Sequence, residues 1–310
     1  MVFRAALKVL NEATYISFVL QQFYAHVDSL IVIEGADSYM ARSTGRVTGT
    51  GLSTDGTTEI IQSFPDPRGI IEYVPMGFYQ EEDEGIQRMM KGLKAGDVLW
   101  TASGDEFFFD ADIMRVRDFF MNDNVCLTMT FSFLTYWHDF YHLLRGGGWD
   151  NRLARVFRLV EDDMQIISKG ATLQDKCGIT YNDDYYAGTR YDSDIQDHHF
   201  SYVRTAEKIM EKQCWQMECE EGWSSSTQDS SIKNSVAGKL DIWALKKRYR
   251  TPQNFVARNF SWFTHNYDAR DNIRVEKYSG PWPEALERHE YRGLYWDEEP
   301  VIWRGEAAKW

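Results

Sequence analysis

The first hundred residues alternate between short apolar runs and amphipathic runs of helical period. That rhythm restricts the chain to βαβ units around a largely parallel sheet, because parallel strands need long crossover connections. Phe3 to Leu10 reads as the first strand. Ile16, Val19, Leu20, Phe23 and Val27 then share one helical face, with Asn11 placed to cap that helix. Leu30 to Ile33 reads as a second buried strand, with Glu34 at its carboxyl end. The turn Thr54 to Thr57 leads into a helix over Thr57 to Ser63, capped by Asp55 or Thr54. Ile70 to Val74 is the third strand, about Glu81 to Leu93 a polar helix, and Asp97 to Thr101 the fourth strand, running out in Ser103, Gly104, Asp105 and Glu106. Ligands of open α/β sheets collect outside the carboxyl ends of the strands, where Glu34, Asp55, Asp105 and Glu106 all fall.

Downstream, Asp110 to Phe120 reads as a helix, Val125 to Leu134 as a long strand and Arg155 to Leu159 as a short one. Asp197, His198 and His199 stand on a loop or strand end ahead of a helix over Thr205 to Met217. From about Lys239 the composition turns basic and aromatic, as far as Lys277. This change predicts a catalytic domain over residues 1–235 and a C-terminal helical or irregular extension over 236–310, packed on the catalytic domain or its acceptor site. Such a stretch also suits single-stranded nucleic acid, the less favoured reading.

With 43% hydrophobic residues among 310, the chain can bury a substantial core, and most of its 15% aromatic residues are assigned there. The formal charge of −13 disfavours loose attachment to nucleic acid or anionic membranes. Cys126, Cys177, Cys214 and Cys219 form no C-x-x-C pair and read as reduced, structural thiols. No N-terminal signal region and no run near the roughly 20 apolar residues of a membrane span are present, so no span is expected and a cytoplasmic location is the default.

Acids converging at one sheet edge suggest a cation or a ribose. Oxygen ligands suit Mg²⁺ or Mn²⁺, which bridge a carboxylate to a diphosphate, and a histidine among them shifts the balance towards Mn²⁺. Adjacent histidines on a strand face opposite sides, so at most one of His198 and His199 reaches the site. Lys208 and Lys212 follow, and cations near a diphosphate stabilise the departing nucleotide. Taken singly, each acid is as well explained by a loop or a helix cap, and a lone histidine by a satisfied place in the core.

Four runs in order carry a family resemblance: V-L-N-E (Val9 to Glu12), the strand ending Ile31 to Glu34, S-T-D-G-T (Ser53 to Thr57) and L-W-T-A-S-G-D-E-F (Leu99 to Phe107). They resemble the successive motifs of family 2 type and related GT-A glycosyltransferases. The run His199 to Lys212, of form H-x-S-x-x-x-x-x-x-x-I-x-x-K, and R-V-F-R (Arg155 to Arg158) are similar to bacterial relatives of the β-1,4-mannosyl-glycoprotein N-acetylglucosaminyltransferase family. The resemblance spans roughly residues 3 to 218. It implies an α/β GT-A (nucleotide-diphospho-sugar transferase) fold, a mostly parallel sheet flanked by helices. It implies an inverting transfer from a nucleotide-diphosphate sugar, a UDP-sugar first, to a glycan or other hydroxyl acceptor. Asn11, Glu12, Glu34 and Asp55 are then expected around the base and ribose, Arg88 and Lys212 at the phosphates, and Asp105 with His199 at the metal. Glu106 is expected either as general base or as an acid orienting Asp105 or a neighbouring Arg. Two departures stand out: S-G-D-E replaces D-x-D-E, with Ser103 at the first acid, and Glu34 replaces the more frequent aspartate. Two other readings follow, a viral-type DNA glycosyltransferase acting on a hydroxylated base and a non-catalytic module holding a nucleotide sugar or glycan.

Overall fold

The computed structural model describes residues 1–37, 47–79, 82–137, 139–146, 152–162, 164–167, 172–174, 177, 180–181, 190–204, 208–209 and 274–287. It divides into two compact units, one of Met1–Phe133, Asn151–His199 and Pro281–Arg288, the other of Leu134–Asp150, Phe200–Gly280 and His289–Trp310. Residues 236–273 and most of the helix expected over Thr205 to Met217 lie outside the described residues.

In the first unit, β1 (Phe3–Val9) lies between β2 (Ser29–Asp37) and β4 (Val98–Ser103), and β3 (Ile71–Tyr79) borders β2. All three pairings are parallel, as the alternation with α1 (Ile16–Tyr24), α2 (Thr57–Ser63) and α3 (Glu82–Met90) predicts. Beyond β4 the pairing turns antiparallel: β8 (Arg152–Arg158) runs against β4, and β6 (Thr128–Trp137), which the unit contains as far as Phe133, runs against β8. The sheet is therefore mixed. Its antiparallel part follows α4 (Asp110–Asn122); among the described residues no helix separates β6, β7 and β8.

The buried strands β1 and β2 carry apolar residues on both faces, as a sheet covered on both sides requires. On one face Trp100 meets Phe3, Phe23, Phe108 and Phe131 at ring separations of 6.3, 5.4, 4.8 and 5.1 Å. On the other, Ala6, Ile31, Ile33 and Leu99 pack with Ile86, Met89, Met90 and Leu93 of and after α3. At the bulge after Glu34 the chain comes so close to β3 that a Cβ on Gly35 would lie 2.4 Å from the Gly77 carbonyl oxygen, so only glycine fits.

α1 begins later than its first polar residue suggests. Tyr15 occupies the N-cap position and offers no side-chain cap. Asn11 instead takes a left-handed backbone, φ 57°, and ends β1 in a turn.

β5 (Glu106–Phe107) is two residues long and pairs with β12 (Arg190–Tyr202), His199 opposite Glu106 and His198 opposite Phe107. Asp197 to His199 thus belong to a long strand, of which the first unit holds the part up to His199. Beside these, β9 (Gln165–Ile167), β10 (Thr172–Gln174) and β11 (Thr180–Tyr181) form a small antiparallel sheet.

In the second unit, β7 (His142–Arg145) pairs with Tyr136 of β6 and with β13 (Arg274–Lys277). Tyr136 stacks on Phe200 at 4.2 Å. The short helix α5 (Glu284–Glu287) returns to the first unit, where Glu284 accepts the backbone N–H of Asp110 at 3.1 Å. Among the described residues no helix is long and apolar enough to cross a membrane.

Candidate functional site

Two loops meet at the carboxyl edge of β1 and β2. Four bonds join the turn after β1 to the turn before α2: Asn11 N–H to Ser53 Oγ at 2.9 Å, Thr54 N–H to Asn11 Oδ1 at 2.9 Å, Glu12 N–H to Thr57 Oγ1 at 2.8 Å and Ala13 N–H to Asp55 Oδ2 at 3.1 Å. Asp55 also accepts the N–H and hydroxyl of Thr57 at 3.1 and 2.6 Å. It thereby supports the first turn of α2, whose N-cap Gly56 has no side chain to do so. The left-handed Asn11 is held by these same bonds, and polar residues in strained turns concentrate at functional sites.

Glu34 closes this layer from below. It is fully buried, and its carboxylate accepts from Ser53 N–H at 2.8 Å, from the Thr58 hydroxyl at 2.8 and 2.9 Å and from the Tyr73 hydroxyl at 2.5 Å. Burial, followed by the Glu34 hydrogen bond and charge, drives the Tyr73 phenol well above its ordinary pKa, so it stays a donor. The extra methylene of Glu34 relative to an aspartate thus reaches donors on α2 and β3.

The second half of the edge is the turn between β4 and β5. Gly104 lets it settle onto the end of β1: its N–H donates to the Lys8 carbonyl at 3.2 Å, and a Cβ there would lie 2.9 Å from Glu12 Cγ and 3.0 Å from Val9 Cγ1. Glu12 and the turn carrying Asp105 are therefore in contact. Asp105, 3% exposed, places Oδ1 3.8 Å from His199 Nε2.

The strand register decides which histidine does this. His199 stands opposite Glu106 and meets Phe133 edge-on at 5.5 Å. His198 packs edge-on against Phe109 at 5.4 Å, where burial pushes its pKa down to about 3 and keeps it neutral.

Beneath the Asp105–His199 pair lies a charged layer. Arg155 of β8 donates Nη2–H to Glu106 Oε1 at 2.6 Å and Nε–H to Asp197 Oδ2 at 3.3 Å. Burial opposes the Arg155 charge, but the two carboxylates outweigh it and hold its pKa above the ordinary value. Asp197 is fully buried; burial first, then the Glu106 charge, lifts its pKa well above the usual carboxylate range, with Arg155 only partly opposing. Glu106 is 1% exposed.

A carboxylate and an imidazole are donor types that a divalent cation of the Mn²⁺ kind can take together. Two ligands about 2.1 Å from one ion lie about 3.0 Å apart at right angles and about 3.4 Å apart in a tetrahedron, so a small closing movement of a 3.8 Å pair suffices. Among the described residues no three His, Cys, Asp or Glu side chains gather as a metal cluster. Two protein ligands with the rest from water and phosphate are what Mg²⁺ and its relatives usually accept.

Arg88 does not join this edge. It pairs with Glu72 at 2.9 Å, near the amino-terminal end of β3, because it occupies the last turn of a helix that runs back across the sheet. Lys212 lies outside the described residues. Asn11, Glu12, Glu34 and Asp55 are brought together, and Asp105 meets His199. Sequence reasoning named Arg155, within R-V-F-R, and Asp197, beside the histidines, without giving either a role, and did not single out Thr58 or Tyr73.

No protein-family model and no curated protein matches the chain. Among solved structures it is similar to 4-diphosphocytidyl-2C-methyl-D-erythritol synthase of Anaerococcus prevotii, at 12% identity and a TM-score of 0.29, over 74% of this chain and 82% of that one.

Proposed function

We propose that the chain is a divalent-metal-dependent glycosyltransferase that moves a sugar from a nucleotide-diphosphate sugar, a UDP-sugar first, to a hydroxyl of a glycan or other acceptor, with inversion. The observation that carries this reading is the Asp105–His199 pair, 3.8 Å apart at the carboxyl edge of a parallel sheet and next to the Glu12 turn. Asp105 and His199 hold Mn²⁺ or Mg²⁺, which when bound offsets the charge of the leaving diphosphate. The Asn11–Glu12 and Ser53–Asp55 turns form the wall for base and ribose. Glu34 fixes that wall from behind, and Glu106 orients the turn that bears Asp105. The catalytic part is residues 1–235, and 236–310 is a C-terminal extension.

Ser103, standing where an acid would add a ligand, supports a second reading as a module that binds a nucleotide sugar without transferring it.

Thermal melting with UDP-, GDP-, TDP- and CMP-sugars, with and without Mn²⁺, tests the proposal, because a ligand specific to the folded state raises Tm by mass action. One nucleotide class is expected to raise Tm in a metal-dependent way, and Asp105→Asn to abolish the metal-dependent part while leaving the unliganded Tm within a few degrees. No shift with any donor defeats both readings. A shift without turnover or donor hydrolysis favours the binding module.

A further inference from the structure

Arg155 touches one residue close in sequence to each member of the Asp105–His199 pair. Its fork is split between two strands, Nη2 on Glu106 of β5 at 2.6 Å and Nε on Asp197 of β12 at 3.3 Å. Glu106 directly follows Asp105. Asp197 lies two residues before His199, hence on the same face of β12. A third contact runs through an aromatic ring: the guanidinium lies 4.8 Å over Phe133, and that ring meets the His199 imidazole at 5.5 Å. β5 is only two residues long and its pairing with β12 covers only His198 and His199. So short a ladder fixes position weakly by itself.

Resting on the reading of Asp105 and His199 as the metal pair, we propose that Arg155 is a positioning residue that clamps β5 to β12 and so sets the Asp105-to-His199 separation for a divalent cation. A guanidinium suits this because its planar fork can hold two carboxylates on different strands while stacking on Phe133. An ammonium is a compact point charge without the planar fork that fixes both geometries at once.

The sign of the effect separates positioning from plain electrostatics. A cation at Arg155 repels a metal ion a few residues away, so if charge alone mattered, removing it would tighten metal binding. If Arg155 positions the ligands, removing it loosens metal binding, by the roughly tenfold or more that outer partners of metal ligands typically contribute.

The experiment is a Mn²⁺ titration of the full chain, following free Mn²⁺ by electron paramagnetic resonance, on wild type, Arg155→Met and Arg155→Lys, with circular dichroism for the fold. Expected is a rise in Kd of about tenfold or more in Arg155→Met and a smaller but clear rise in Arg155→Lys, which keeps the charge and loses the fork. Unchanged or tighter binding by folded variants overturns the inference. If Arg155→Met fails to fold, Arg155→Lys decides. Failure of both to fold makes Arg155 a folding residue and overturns it as well. Absence of Mn²⁺ binding by the wild type overturns the metal pair itself and this inference with it, an outcome distinct from wild type and variants binding alike.

Discussion

Glu34 is a buried acid both of whose oxygens are met by donors: the Ser53 N–H and the hydroxyls of Thr58 and Tyr73. Replacing one oxygen by an NH₂ group sets donor against donor. Glu34→Gln is therefore expected to destabilise the fold by about 1–3 kcal/mol, the cost of leaving a buried polar group badly matched. The reading is a lower midpoint in urea melts at unchanged slope. Because Ser53 also holds Asn11, the same variant should loosen the left-handed turn at Asn11 and weaken donor binding more than a distant variant of equal stability does. Equal donor affinity at reduced stability would make Glu34 a packing residue only.

At the scale of elements, β5 is the piece whose placement everything near Asp105 depends on, and its own sequence hardly announces it. β12 borders it on one side; on the other, the buried Gln22 of α1 gives its Nε2–H to the Glu106 carbonyl at 2.9 Å and accepts the Phe108 N–H on Oε1 at 3.0 Å. One amide side chain thus takes the place of a neighbouring strand. Gln22→Met keeps the volume and removes both bonds, and is expected to cost about 2–3 kcal/mol and to weaken Mn²⁺ binding, measured by urea melts and metal titration on one preparation. Stability lost at unchanged Mn²⁺ affinity would separate β5 from the metal pair. The parallel strands β1 to β4 and the helices between them were legible because periodicity reports local burial, and that is what sets them. The pairing of β5 with β12 was not, nor was Asp197 as a buried acid, because the partners stand about ninety residues apart and nothing local marks the register. The cap assigned to Asn11 failed for a related reason: its side chain is taken by Thr54, across a turn more than forty residues on.

For the whole molecule the net charge of −13 bears most directly on the acceptor. A protein binds DNA chiefly by releasing counterions from phosphates that its cations neutralise, and an acidic chain can do so only through a concentrated basic surface. The sequence from Lys239 to Lys277 is where such a surface would lie. Of it, Arg274–Lys277 is described, as a strand against β7 in which Arg145 lies 3.8 Å from Glu276. There the stretch contributes an acid, not a cation, to the pair. We therefore expect labelled single- and double-stranded oligonucleotides to show no saturable anisotropy change at tens of micromolar protein, even at about 50 mM salt, where phosphate contacts are strongest. Binding that appears there and falls steeply by about 200 mM would place several cations on phosphates. It would favour, for the proposed transferase, a hydroxylated base over a glycan hydroxyl as acceptor, a base that would have to be lifted out of the stack to be reached. Weak binding without salt dependence would not do so, since it leaves the phosphates uncontacted and the acceptor among neutral hydroxyl compounds.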